Sequence, residues 1–368
     1  MRAPLTDLFL RAVAVNAPSL HEQSMAEFVR RELADAPVRV IEDHAAAAIG
    51  GTSGNLICIP PQWREGTPSI ALFAHLDTPR PTHGVKPELL ADRITSDGTT
   101  ILGVDNRAGV SVLLDLLRRS GAATSGRSFV VIFTVAEELG MLGAKQLDLQ
   151  GLGITEGYVF DCSKRPGVFI GSAVGCSLYT ATFRGVPSHA GVAPEKGRSA
   201  ILMAAEALAG IPQGRLSPTM TTNVGTIQGG SATNVVPDLC RLEGEVRGFD
   251  AAAIERHLAE LERKFGAVSL ARGGRLEFNT VVDFVPFTLD PGSEVVRTTT
   301  QALRHLGLHP EPIEYLGGSD ANALNAMGIP TVNIGIGAQN PHANDEFILL
   351  EDLAMSARMA RTIVTGVA

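Results

Sequence analysis

Residues 129–138 read Phe-Val-Val-Ile-Phe-Thr-Val-Ala-Glu-Glu, eight uncharged residues followed by two adjacent carboxylates. A run this short and this apolar reads as a strand buried on both faces, the kind found inside a parallel sheet. The same texture recurs at Asn55–Ile59, Ser69–Ala74 and Gly157–Phe160. Between them Val110, Leu113, Leu114 and Leu117 repeat at helical spacing, and the Gly/Ser/Thr-rich stretch Ser120–Gly126 closes that segment as a loop. Strands alternating with crossover helices predict an α/β fold: a largely parallel sheet with helices on both faces.

From Cys176 the pattern changes. Ser177–Arg184, Thr222–Gln228, Leu239–Arg247 and Leu276–Phe284 are strand-like, and two helices separate them. The first runs from Ser199 to Leu208 and closes at Gly210; the second runs from Ala251 to Phe265, with Asp250 as its cap and Gly266 as its end. After Pro286–Pro291 the α/β texture resumes with a helix over Ser293–Leu306, a strand at Thr331–Ile336 and a last helix from Leu350. The simplest organisation is one α/β domain, residues 1–175 and 288–368, interrupted by an α+β domain over residues 176–287.

The 368 residues carry 39 acidic and 31 basic side chains, a net charge of −8, with no run of Lys/Arg fit to neutralise a row of phosphates. Nucleic acid and anionic membranes are therefore not expected as partners. Asp7 interrupts what would be the apolar core of a signal peptide, and no apolar run reaches membrane thickness. The four cysteines, Cys58, Cys162, Cys176 and Cys240, lie far apart and suit isolated thiols in a reducing compartment. Together these features predict a cytoplasmic protein.

Polar residues with chemical potential follow the strands. His75 and Asp77, two apart, project to one side at the end of Ser69–Ala74, where a carboxylate can fix the tautomer of a histidine ligand. The plain alternative is a polar loop after a buried strand. Asp105 precedes the Val110–Leu117 helix, and its plain role is an N-cap. Glu137 and Glu138 repel one another at the end of a buried strand unless a cation or shared proton compensates; otherwise they begin a helix near Leu142–Leu147. Asp161 ends another apolar run, and His342 sits in a loop after Thr331–Ile336. Five strand ends thus deliver two histidines and several carboxylates, without a thiolate, to one rim of the sheet. That donor set suits Zn²⁺, Mn²⁺ or Co²⁺, and the excess of carboxylates suggests two ions sharing an Asp.

These residues resemble the M20 family of metallopeptidases, in its peptidase T (tripeptidase) and peptidase T-like branch. The motifs that carry the resemblance are Ala74-His75-Leu76-Asp77-Thr78, Thr99-Thr100-Ile101-Leu102-Gly103-Val104-Asp105-Asn106-Arg107-Ala108-Gly109, Ala136-Glu137-Glu138-Leu139-Gly140, Phe160-Asp161, Ser188-His189-Ala190-Gly191 and His342. The resemblance implies that Asp105 bridges two divalent ions, with Glu138 and His342 completing one coordination sphere and His75 and Asp161 the other. It implies Glu137 as general base, Asp77 as the residue that orients His75, and a cis peptide from Asp105 to Asn106. Spacing alone does not decide which of Glu137 and Glu138 stays off the metal.

By the same resemblance the inserted domain is a lid and dimerisation domain, which implies a homodimer. His189 is its oxyanion-stabilising histidine, although by itself it is a loop residue between glycines. Arg247 belongs by pattern to a solvated row with Arg241, Glu243 and Glu245; only the resemblance makes it, with Asn234, an anchor for the substrate's terminal carboxylate. Gly318 and Ser319, in the Gly-rich Gly317–Asn322 segment, correspond to backbone donors near the substrate, the alternative being an ordinary turn and N-cap. The expected activity is a metallo-aminopeptidase releasing the N-terminal residue of short peptides, tripeptides above all, with zinc, or manganese or cobalt, as its ions. The rivals are an M20 deacylase or amidohydrolase, a carboxypeptidase or dipeptidase on the same site, a zinc aminopeptidase without a lid, and a catalytically inactive metal-binding protein.

Overall fold

The computed structural model describes residues 3–122 and 126–366; positions 123–125 of the expected Ser120–Gly126 loop, and residues 1–2 and 367–368 of the expected domain spans, lie outside the described residues. The chain divides into two compact units. The first comprises Met1–Ser172, Thr288–Tyr315 and Ser319–Ala368, and the second Ala173–Phe287 with Leu316–Gly318. The second unit thus begins a few residues before the expected boundary and takes in Gly318, whereas Ser319 belongs to the first.

The first unit opens with helices α1 (Pro4–Val13) and α2 (Gln23–Glu32), then strands β1 (Arg39–Glu42), β2 (Leu56–Ile59) and β3 (Ser69–His75). Helix α3 (Val104–Arg118) crosses over to β4 (Ser128–Thr134), and β5 (Ile154–Cys162) and β6 (Val168–Ala173) follow. Every residue of β3 and β4 is buried, as expected of strands covered on both faces. Helix α3 is buried nearly all round, its polar Asn106, Arg107, Ser111 and Asp115 included, and Val110, Leu113, Leu114 and Leu117 are fully buried. Each such leucine contributes about 1.5–3 kcal/mol of burial.

The second unit contains β7 (Gly175–Arg184), β8 (Ser188–His189), α4 (Ala200–Ala209), β9 (Met220–Gly229), β10 (Val235–Val236), β11 (Leu239–Gly248), α5 (Ala251–Ala271) and β12 (Arg275–Phe284). Its main sheet is antiparallel, with β11 between β9 and β7 and with β12 on the far side of β7. Phe183, Met203, Leu242, Val246, Ile254, Leu261 and Phe265 belong to its separate core. Helix α5 runs six residues beyond the expected end at Phe265. Gly266 lies inside it, because the buried stripe of Ile254, Leu258, Leu261 and Phe265 continues to Ser269 and outweighs the modest cost of one interior glycine.

The chain then returns to the first unit with α6 (Glu294–His305), α7 (Asp320–Ala326), β13 (Thr331–Gly335) and α8 (Leu350–Thr365). The nine-stranded sheet takes the order β1–β2–β4–β3–β5–β13–β6 over its first seven strands. Its centre, β4–β3–β5–β13, is parallel throughout, whereas β1, β2 and β6 are antiparallel to their neighbours. The carboxyl ends of all four central strands therefore share one rim, the edge at which open α/β sheets place their ligands.

Candidate metal centre

Register aligns the first two ligands. Phe73 pairs with Val159 in parallel, so two residues further on His75 and Asp161 stand level at the rim. His75 Nε2 lies 3.2 Å from Asp161 Oδ1 and 2.9 Å from Asp105 Oδ1. Asp105 arrives not from a strand end, as expected, but on the first turn of α3, whose start reaches the same rim because a crossover helix runs antiparallel to its strands. Nor is it the N-cap; Gly103 occupies that position, with φ 77°. The Asp105–Asn106 peptide is cis, as the resemblance implied. Asn106 Nδ2 donates to Phe160 O at 2.9 Å while its Oδ1 accepts from Gly109 N at 2.9 Å, which fixes this turn beside Asp161.

The other oxygen of Asp105, Oδ2, lies 3.4 Å from His342 Nε2, and His342 Nε2 lies 3.2 Å from Glu138 Oε1. His342 rides the loop after β13 with φ 67°, its side chain half-exposed, whereas His75 is buried. Asp105 thus turns one oxygen toward a His75–Asp161 group and the other toward a Glu138–His342 group.

Glu137 and Glu138 do not begin a regular helix; beyond a tight turn only the short 3₁₀ segment Ala144–Gln146 forms. The turn is built on positive φ at Ala136 (50°) and Met141 (58°), and buried carboxylates hold its amides. Ala136 N donates to Glu22 Oε1 at 3.0 Å, Glu137 N to Asp77 Oδ1 at 3.1 Å and Glu138 N to Asp77 Oδ2 at 3.2 Å. Asp77 also lies 3.2 Å from His75 Nδ1 and accepts from Ser19 Oγ at 2.7 Å. It therefore orients the carboxylate turn as well as the histidine.

Charge dominates this pocket. Burial alone would discharge His75, but Asp161, Asp105 and Asp77 hold its imidazole well above the ordinary value. Burial also works against the Asp105 carboxylate, yet His342 and His75 keep its pKa low. The facing carboxylates of Asp105 and Glu138 raise His342 to about 10. Burial, reinforced by neighbouring carboxylates, pushes Glu137 well above its usual range and raises Glu138 and Asp161. Asp320 rises to about 7, chiefly by burial.

The donors fit a divalent cation better than they fit one another. One Nε2–H can serve one carboxylate, yet His75 Nε2 faces two. Glu138 Oε1 is buried without a hydrogen bond although His342 Nε2 is close, so these two atoms converge on a common point. Donors about 2.0–2.2 Å from a tetrahedral ion stand about 3.3–3.6 Å apart. The four separations here, 2.9, 3.2, 3.2 and 3.4 Å, lie near that spacing. Three metal-capable groups are present among the described residues: His75–Asp105–Asp161, Asp105–Glu138–His342 and His75–Glu137–Glu138.

Sequence reasoning missed three residues of this pocket. Glu22 and Glu346 belong to no motif singled out in the sequence, yet both are buried carboxylates raised to about 7, chiefly by burial. Arg107, also buried, donates to Leu76 O and Val15 O and provides the countercharge to Asp77, Glu346, Glu22 and Asp105. The motif containing Arg107 was visible in the sequence; its role was not.

In the second unit, His189 and Val235 pair across the small β8–β10 ladder, and Ala190 N donates to Asn234 O at 2.9 Å, so His189 and Asn234 are neighbours. Arg247 lies at the opposite end of β11, in register with Cys176, where its fork binds Glu245 at 2.9 and 3.0 Å. Asn234 lies in the loop between Gly229, which pairs with Cys240, and the start of β11, and the seven steps from Cys240 to Arg247 span roughly 23 Å of strand, so the expected joint anchor of Asn234 and Arg247 does not form within one chain. Ser319 is the buried N-cap of α7, its N–H donating to Asn322 Oδ1 at 3.1 Å. No helix among the described residues is long and apolar enough to cross a membrane.

Comparison with known proteins agrees with this architecture. The profile of the peptidase dimerisation domain matches residues 173–272, and that of the M42 glutamyl aminopeptidases matches residues 92–164. The crystal structure of the aminopeptidase PepT from Bacillus cereus superposes with a TM-score of 0.89 and 34% identity, over 98% of this chain and 97% of that one. A tripeptidase from Staphylococcus aureus gives 0.91 and 30%, with the same coverage. A dinuclear metal-binding peptidase of the M20 family from Bacillus subtilis, 18% identical over 98% of this chain and 96% of that one, shares the fold with a TM-score of 0.71. By sequence, protein YqjE of Bacillus subtilis is 33% identical over 98% of this chain and 97% of its own. A Peptidase T of Bacillus cereus is 28% identical over 70% of this chain and 63% of its own length.

Proposed function

Since the chain belongs to the M20 peptidase family, on its peptidase T-like branch, we propose that it is a co-catalytic di-metal aminopeptidase of the cytoplasm that releases the N-terminal residue of short peptides, tripeptides above all. The observation that carries this reading is Asp105, whose two oxygens face separate histidine–carboxylate groups. In the proposed centre His75 and Asp161 would hold one ion, Glu138 and His342 the other, and Asp105 would serve both. Two such ions, zinc by preference with manganese or cobalt as alternatives, would supply Lewis acidity and ease the deprotonation of water when bound.

The remaining chemistry falls to the chain. Glu137, whose burial favours a carboxyl ready to hold a proton, takes the proton of the attacking water and delivers it to the leaving amine. Asp77 keeps both His75 and the Glu137 turn in place. His189 donates to the developing oxyanion from the lid. Asn234 and Arg247, separated within one chain, hold the peptide's terminal carboxylate from two copies of a homodimer, and the backbone at Gly318 and Ser319 supports the peptide.

The test is a product profile on di-, tri- and tetrapeptides with free and acetylated N-termini, read by mass spectrometry. Removal of the first residue from free tripeptides is expected. Hydrolysis confined to blocked or N-acyl substrates would overturn the aminopeptidase reading in favour of a deacylase. Glu137→Ala should keep its metal and lose turnover by at least about 10³-fold; a variant that stayed active would remove Glu137 as the base.

A further inference from the structure

Glu346 is 1% exposed, and its side chain makes no salt bridge among the described residues. It lies four residues beyond His342, and its position is fixed from both sides. Its carbonyl accepts from Ser96 N at 3.2 Å, and the next residue, Phe347, begins an antiparallel ladder opposite Thr95. Upstream, Arg80 Nη2 donates to His342 O at 3.1 Å and so holds the same loop. The carboxylate itself points at the start of α3. Oε2 accepts from Gly103 N at 2.6 Å and Oε1 from Asp105 N at 3.1 Å.

A buried carboxylate that shares the Arg107 countercharge with three other acids is costly, and one that accepts two amides at a helix's start recovers part of that cost through charge-assisted hydrogen bonds and the helix dipole. What distinguishes this clamp is what it joins. The amides belong to the turn that carries Asp105, and the carboxylate belongs to the segment that carries His342. Their side chains meet at 3.4 Å.

We infer that Glu346 is a positioning residue for the Glu138–His342 half of the centre, setting the separation of the bridging carboxylate and His342 by clamping the Gly103–Asp105 amides to the His342 loop. This inference rests on the two-ion reading above. The other half does not depend on the clamp in the same way, because Asp161 and His75 are placed by strand register and by Asn106.

The experiment titrates cobalt into the chelator-treated full-length protein and follows the visible absorption of each equivalent, for wild type and for Glu346→Gln. The amide side chain keeps the size but offers N–H where one backbone N–H needs an acceptor. One equivalent should weaken about 10–100-fold while the other keeps its affinity and spectrum. Equal weakening of both equivalents would reduce Glu346 to a general structural role, and no change in either would remove the role altogether. Glu346→Asp, which preserves the charge on a shorter stem, substitutes if the glutamine variant does not fold.

Amide hydrogen exchange in the metal-free proteins keeps the clamp separable from the function. Gly103 and Asp105 should exchange at least about tenfold faster in the variant. Unchanged protection there overturns the inference even if cobalt behaves as expected. Fewer than two equivalents in the wild type would instead overturn the two-ion reading, with exchange still deciding whether Glu346 holds the turn.

Discussion

At the scale of single residues, buried carboxylates hold the amides of the turns around the site. Glu22 holds the amides of Leu20 and Ala136, both residues with positive φ, and has been raised from its ordinary 4.5 to about 7, first by burial and then by Asp77. Between those two values the folded chain keeps a proton that the unfolded chain has released, so stability falls as pH rises through this window and levels off above about 7. Glu22→Gln does not titrate and still accepts both amides through its carbonyl oxygen. In chelator-treated protein its melting temperature relative to wild type should rise from pH 5 to pH 7.5, by the equivalent of up to about 3 kcal/mol. A constant difference across that range would show that Glu22 is not the titrating group. The sequence concealed this residue because its partner Ala136 lies 114 positions away, as Gly103 lies 243 from Glu346. His75, Asp77, Glu138, Asp161 and His342 were legible for the opposite reason: each follows a short apolar run, and charge has few reasons to be there.

At the scale of elements, the contact of α3 with β5 decides where Asp105 stands. A Cβ on Gly109 would lie 2.3 Å from Phe160 O and 2.4 Å from Asn106 Oδ1, so only glycine lets the helix approach this closely. Gly109→Ala should therefore cost about 1–3 kcal/mol and push the Asp105 turn away from Asp161. Thermal denaturation and metal content should fall together. A variant that melted early yet bound its full complement of metal would mean that the turn moves independently of the helix. The strands and the Val110–Leu117 stripe were readable because period and burial act locally. The non-helical Asp105 and Asn106 inside α3, and the helical continuation of α5 past Gly266, were not, because neighbouring elements impose them. The antiparallel flanks of the sheet leave no mark in the sequence for a related reason: strand direction depends on connections, and an apolar run reads the same both ways.

At the scale of the whole molecule, the proposed function makes the centre a stabilising ligand site and the dimer a catalytic unit. Chelation should lower the melting temperature and zinc, manganese or cobalt restore it; free ion at a hundred times its dissociation constant is worth about 2.7 kcal/mol. A melting temperature indifferent to chelator would leave the carboxylate pocket without a cation. Mixing His189→Ala with Glu137→Ala subunits should restore part of the activity if the lid histidine serves the partner's site; confirmed heterodimers without activity would place it in its own. The discontinuous first unit also has a consequence in time. The ribosome delivers His75, Asp105, Glu138 and Asp161 early, and His342 only 181 residues after Asp161. At about 5–20 residues per second that interval lasts roughly 10–35 s, long enough for the first segment to gather structure while the second unit is still being made. Under the proposed assignment the ligand set of the second ion is complete only when the last stretch of the chain arrives.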